Sequence, residues 1–147
     1  MRRAVIVSAC CALALGGCAG GADNIELTGE TWQVVALHTE PGTPGELPAD
    51  AAGKASLRIA GNSMTASTGC APLRATVEQT HRRLTLVDVE VADASGCIGG
   101  SRYVHDELTA LLTPGAAFDV RKLNDKEATL TVVSDAVDRP SVRVMAL

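Results

Sequence analysis

Ser56-Leu57-Arg58-Ile59-Ala60-Gly61-Asn62-Ser63-Met64-Thr65-Ala66-Ser67-Thr68-Gly69-Cys70 reads as two short strands folded about a Gly61-Asn62 turn and closed by a Gly-Cys pair. Leu57 and Ile59 alternate with Ser56, Arg58 and Ala60, the period of a half-buried strand. Met64 and Ala66 alternate with Ser63, Thr65 and Ser67 on the return. Gly and Asn tolerate the positive φ that a tight hairpin turn needs, and Gly69 lets the chain bend as the second strand ends. Cys70 then stands where it can tie the hairpin to a later segment.

Outward from this hairpin the chain reads mostly as strands. Thr31 to Leu37 forms a first strand with Trp32, Val34 and Ala36 on one face. Trp32 is the only tryptophan and one of three aromatic residues, so it is expected to anchor the core. Glu40 to Lys54 holds three prolines and three glycines and reads as a long loop, either an ordered functional loop or a tolerated insertion. Ala75 and Val77 mark a short strand, Gln79 to Arg82 a turn, and Leu84 to Val91 the clearest strand of all. Its phase changes at Leu86-Val87, as at a bulge or in a strand covered on both faces.

After a loop at Asp93 to Gly100, Ser101 suits an N-cap. Val104, Leu108, Leu111 and Leu112 then share one helical face expected to meet the sheet, and Pro114-Gly115 ends the helix. Strands around Phe118 to Leu123, Ala128 to Val133 and Val142 to Ala146 finish the chain. Strands, one helix, then strands predict an α+β domain: a mostly antiparallel, curved β-sheet with one main α-helix packed on it.

The N-terminus reads as an export signal. Arg2 and Arg3 precede an apolar stretch, Ala4 to Leu15, too short to span a bilayer as a mature helix. Leu15-Gly16-Gly17-Cys18 resembles the lipobox of bacterial lipoproteins, in which the cysteine is lipidated and becomes the new N-terminus. The alternative is an ordinary secretory signal cut nearby, for example after Ala22. The lipobox reading divides the chain into a signal peptide (1–17), a flexible tether (18–26) and a folded domain (27–147). It places the protein at the cell membrane or outer membrane, facing the extracytoplasmic space.

Cleavage before Cys18 leaves 130 residues and removes two arginines and no acid. Eleven basic side chains then face seventeen acidic ones, a formal charge of −6. That sign argues against a nucleic-acid partner and against a polybasic grip on anionic lipid, leaving the acyl chains as the membrane attachment. Of five cysteines, Cys10 and Cys11 leave with the signal and Cys18 carries lipid. Cys70 and Cys97 remain, a pair expected to form a structural disulfide in an oxidising compartment. A metal site is the rival use, and two cysteines without C-x-x-C spacing make a poor one. The bridge would pin the hairpin beside the helix start while the Thr39–Lys54 loop stays free to vary.

In their order along the chain these features resemble the META domain, the family of the HslJ-like lipoproteins. Leu27-Thr28-Gly29-Glu30-Thr31-Trp32 is similar to the family's opening L-x-G-x-x-W. Leu57 to Ile59 followed by Gly69-Cys70 matches its strand pair ending in Gly-Cys. Ala94-Ser95-Gly96-Cys97 sits where the family has its second cysteine, and the helix and closing strands follow. The chain departs from the pattern after Gly-Cys, with Ala71 in place of Asn and Pro72-Leu73-Arg74-Ala75 in place of a Gly and an aromatic. The resemblance implies a role in envelope stress, antibiotic tolerance, secretion or motility, without a cofactor.

Side chains that could carry chemistry are scattered. His105-Asp106-Glu107 are adjacent on a helix, diverge by about 100° each, and read as its solvated face. His38 and Glu40 could share a metal or simply edge a loop. Gly99-Gly100-Ser101 could bind an anion at a helix start or serve as a plain cap. Gly-x-Ser-x-Gly, a phosphate loop and H-E-x-x-H are all absent from the sequence. Three functions remain: a non-enzymatic, lipid-anchored protein that binds an envelope partner, an inhibitor of a secreted hydrolase acting through the Thr39–Lys54 loop, or a hydrolase with an unrecognised site. A closed pocket of convergent polar groups would mark the hydrolase, and a rigid protruding loop the inhibitor.

Cys18→Ser is expected to abolish acylation and leave precursor or soluble protein. Labelling with a fatty-acid analogue checks this, and equal labelling of both forms would remove the anchor.

Overall fold

The computed structural model describes residues 27–147. Eight strands follow in order: β1 (Thr31–His38), β2 (Ala55–Ala60), β3 (Ser63–Thr68), β4 (Pro72–Thr80), β5 (Arg83–Val91), β6 (Ala117–Asn124), β7 (Glu127–Val132) and β8 (Ser141–Ala146). One helix, α1 (Gly99–Leu111), lies between β5 and β6. Each strand pairs antiparallel with the next, and β8 returns to pair with β1 from Trp32↔Ala146 to His38↔Ser141. The expected α+β fold with an open, curved sheet is therefore corrected: the chain is a closed, up-and-down β-barrel carrying one helix. Alternating strands look the same in a sheet and in a barrel, since the period reports only that one face is buried. Closure depends on β1 meeting β8, a pairing between the two ends of the described chain.

Bulges help the sheet to close. The register shifts leave one extra residue on β1 (Val35), on β5 (Val87) and on β6 (Leu123). An extra residue bends its strand and increases local twist, which a barrel wall needs. Of the two readings of the phase change at Leu86-Val87, the bulge is the one found, and Val87 points outward at 50% exposure.

The bore is filled. Trp32, Ile59, Met64, Leu84, Phe118 and Leu130 are all at most 1% exposed and meet in one apolar cluster. Eight strands enclose a space just wide enough for side chains to fill. The two ends are closed differently. At the end holding the 61–62, 81–82 and 125–126 turns, Leu27 tucks in beside β2, where Thr28 bridges Ile59. The Leu27 carbonyl accepts the Trp32 indole N–H at 2.9 Å, so the buried ring has its one polar atom satisfied. At the opposite end α1 lies over the barrel mouth with Val104, Leu108 and Leu112 buried in the same core. All eight strands and both closures lie within residues 27–147, so this segment carries its own complete core.

Leu108→Ala is expected to cost about 2–5 kcal/mol, the range for a buried leucine, against a few tenths for the half-exposed bulge residue in Leu123→Ala. Denaturant melts of the two variants compare them directly.

Candidate functional site

The polar and reactive side chains singled out in the sequence gather at the helix end. Cys70 lies in the corner between β3 and β4, and Cys97 precedes α1 by two residues. Their Cα atoms are 5.7 Å apart and the sulfurs are bonded. Gly69 turns the corner at φ +92°, a conformation L side chains rarely adopt. The loop that carries Cys97 is shaped locally. The Ser95 hydroxyl donates to Asp93, and the Cys97 N–H donates to the Ala94 carbonyl at 3.2 Å. The hydrogen bond from the Ser95 side chain, with backbone N–H groups of the same turn, holds the exposed Asp93 carboxyl below its ordinary range.

The helix start differs from the expected Ser101 cap. The helix begins at Gly99, and Ile98 at the cap position has no oxygen-bearing side chain to offer. Ser101 is buried in the first turn, and Asp106 and Glu107 fall in the middle of the helix. The cap comes instead from the Thr39–Lys54 segment. Asp50 Oδ2 accepts the Gly100 N–H at 2.8 Å, and the Asp50 carbonyl accepts from the Ser101 hydroxyl at 3.4 Å. Lys54 Nζ donates to the same hydroxyl at 3.4 Å. The helix start does bind an anion, and the anion is the chain's own carboxylate. Gly99 and Gly100 make room for it: a Cβ on Gly99 would lie 2.7 Å from Asp50 Oδ2, and one on Gly100 would run into Asp50 and Pro48.

This segment is therefore not the free loop expected. Ala51 is buried, Glu46 bridges Ala36, and the Leu37 N–H donates to the Gly45 carbonyl at 2.8 Å. Gly45 is itself buried under the His38 ring, with no space for a side chain.

His105 also departs from the solvated face expected of it. Its ring is buried, with Nδ1 2.7 Å from Thr68 Oγ1. Asp106 points away, exposed, and pairs with Arg102 at 2.9 Å. Thr68 is 0% exposed, and its hydroxyl oxygen also accepts the Ala71 N–H at 3.1 Å and the Cys70 N–H at 3.4 Å. A threonine and a histidine at this distance look like a nucleophile and its base. Here the hydroxyl is sealed from solvent and committed to the turn, so the pair brackets the helix to the corner. Ala71, where the META pattern has Asn, is buried within that corner.

An open cleft of about 340 Å³ lies at the same end of the barrel, between the 38–43 and 137–140 segments. His38 and Glu40 line it together with Asp138 and Arg139, and Val137 stands 97% exposed at its rim. Arg139 also reaches Asp119 at 3.4 Å. Among the described residues no group of three or more His, Cys, Asp or Glu side chains is arranged to hold a metal ion. Cys18 lies outside the described residues.

No family model matches the chain, and no curated protein matches it. Two solved structures share its architecture. An NMR structure of a protein from Burkholderia xenovorans superposes with a TM-score of 0.62 at 13% identity, covering 82% of this chain and 83% of that one. A second NMR structure gives a TM-score of 0.55 at 12% identity, covering 81% and 91%. At such identities the likeness is one of fold: the class defined is a closed eight-stranded antiparallel barrel capped by a helix.

Removing the cap by Asp50→Ala is expected to cost about 1 kcal/mol. Gly100→Ala is expected to cost more, and the double variant to recover only part of the difference, because Pro48 still meets the new methyl group. Thermal melts of the three variants check this. Replacing Cys70 and Cys97 together is expected to remove up to about 3.5 kcal/mol for a separation of 27 residues.

Proposed function

We propose that this chain is a lipid-anchored envelope protein of the META/HslJ-like type that acts by binding a partner on its surface. The observation that carries this reading is the filled bore: Trp32 and Phe118 occupy the interior at 1% and 0% exposure, so a guest would have to displace the core. Binding is then left to the outside. The cleft between the 38–43 and 137–140 segments supplies the candidate surface, with charged groups of both signs and an exposed valine at its rim. The lipobox at Cys18 and the order of the Leu27–Trp32, Gly69-Cys70 and Cys97 motifs support the placement in the envelope and the family.

Inhibition of a secreted hydrolase is the second reading. The Glu40–Thr43 turn favours it, a tight turn closed by the Thr43 N–H on the Glu40 carbonyl at 3.3 Å and held on a rigid barrel. Under this reading the bound partner is a hydrolase and the turn enters its active site.

A photo-crosslinking residue placed at Val137 or Pro41 in the full chain, in intact cells, tests the surface. Discrete adducts from both positions, and none from Thr129 on the barrel wall, are expected. Equal yields from the wall and the cleft would dismiss the cleft as the binding surface.

A further inference from the structure

Two seams of the barrel are short. β1 meets β2 over three register positions, and β5 meets β6 over three, from Arg83↔Asp119 to Thr85↔Ala117. The helix-end part of the first seam is filled by the chain itself, where Glu46 bridges Ala36 and the Gly45 carbonyl accepts the Leu37 N–H. At the second seam the last bonds run from the Leu86 N–H to the Ala116 carbonyl at 2.8 Å and from the Gly115 N–H to the Leu86 carbonyl at 2.7 Å. β5 continues to Val91 with β4 alone beside it. The Ala92 N–H donates to the Pro72 carbonyl at 3.1 Å, so Glu90 and Asp88, one alternation and two alternations back, also turn their backbone groups to β4. Val89 and Val91 turn theirs the other way. Among the described residues the carbonyls of both valines and the Val91 N–H meet no partner, while the Asp88 carboxylate covers the Val89 N–H at 3.0 Å. The side chains alternate as well: Asp88 and Glu90 are exposed, Val89 packs against the core, and Val91 is 41% exposed.

We infer that residues 87–91 are a strand-addition site, which takes an extended segment of a partner protein carrying alternate basic and apolar side chains. Unpaired N–H and C=O groups along a strand edge are matched by the backbone of another extended chain. The order of side chains then sets the sequence of the incoming strand. Apolar residues lie beside Val89 and Val91, and basic residues beside Asp88 and Glu90. Thr76 and Arg74 are the cross-strand neighbours of that acidic pair on β4, so one cation stands against two carboxylates, and the exposed Asp93 just beyond the strand adds a third. Arg102, beyond the following loop, is held by Asp106 at 2.9 Å. A second copy of this chain fits the edge poorly. Antiparallel pairing of two such edges centred on Val89 or Glu90 sets Glu90 against Asp88 or Glu90 of the other copy, and like charges directly opposite are destabilising. The cap that Asp88 places on the Val89 N–H shields the edge until a basic group draws the carboxylate away. This surface shares no residue with the cleft at Val137 and does not depend on the lipid anchor.

The test uses unacylated protein spanning residues 19–147, which carries the complete core, and a short end-blocked peptide that alternates lysine and valine. Calorimetry gives its Kd, and amide hydrogen exchange followed by NMR reads the edge directly. In the free protein the Val91 N–H is expected to exchange fast and the Glu90 N–H slowly. With peptide at about ten times Kd, the Val91 N–H is expected to slow about tenfold. The pairing is expected to be antiparallel, like the ladders of the barrel, so the same peptide N-methylated at its valines should bind weaker on the order of 100-fold. Val91→Pro removes an N–H that β4 does not use; it should leave the thermal melt nearly unchanged and abolish binding. Asp88→Lys with Glu90→Lys is expected to reverse the preference, so that a glutamate–valine peptide binds tighter than the lysine–valine one. No binding of the lysine–valine peptide, equal binding of its N-methylated form, or retained binding by a folded Val91→Pro variant overturns the proposal. Should Val91→Pro fail to fold, the N-methylated peptide decides the point on the unaltered protein. Slow exchange of the Val91 amide without peptide also overturns it, assigning the edge to the chain itself or, where the slowing grows with protein concentration, to a second copy.

Discussion

Six register positions join the first strand to the last, and that seam turns eight alternating strands into a barrel. A sheet of the same strands left open would expose the β1 and β8 edges as templates for further pairing, which closure removes. Closure also decides where the apolar face goes. Every inward residue shares one bore, so three aromatic residues in the whole chain suffice, two of them inside it. It leaves two mouths, and each must be covered without stranding backbone groups. Leu27 covers one through the Trp32 indole, and the helix covers the other.

The helix mouth shows how the covering is held. A helix starting at two glycines has poor intrinsic propensity and no side-chain oxygen at its cap position. Asp50 repairs this from another part of the chain, the Thr68–His105 pair fastens the first turns to the β3–β4 corner, and the disulfide fastens the preceding loop. The magnitudes rank these differently. A cap contributes about 1 kcal/mol, a bridge of this span at most about 3.5, and each buried leucine about 2–5. Apolar burial therefore holds the helix down, and the polar contacts fix where its start lies.

Much of the local structure was legible in the residues. The Ser56–Cys70 hairpin, the strand at Leu84–Val91, the Leu108 face and the burial of Trp32 all follow from period and turn chemistry. What was not legible depends on contacts between distant segments. Nothing around Trp32 says that it will lie beside Ala146, and nothing around Asp50 says that Gly100 lies within reach. Ser101 looked like the cap because it has the right side chain, but the partner that reached the helix start first in space was a carboxylate fifty residues away. His105 looked solvated because two acids follow it, yet its ring falls on the helix face shared with Ser101 and Leu108.

The same distinction between total and placement governs the surface. A net acidic chain argues against attraction to an anionic membrane only if its charge is spread evenly. Here it is uneven: the helix mouth carries Glu40, Asp93, Asp135 and Asp138 against Lys54 and Arg139, while at the other mouth Arg82, Arg121, Lys122 and Lys126 face Glu30, Glu78, Asp125 and Glu127. Strands of nine residues tilted by about 40° set the two mouths roughly 20 Å apart, more than twice the Debye length in physiological salt. The cleft around Val137 opens at the helix mouth, where Glu40 and Asp138 outnumber Arg139, so a partner bound there meets a surface more acidic than the chain's other end.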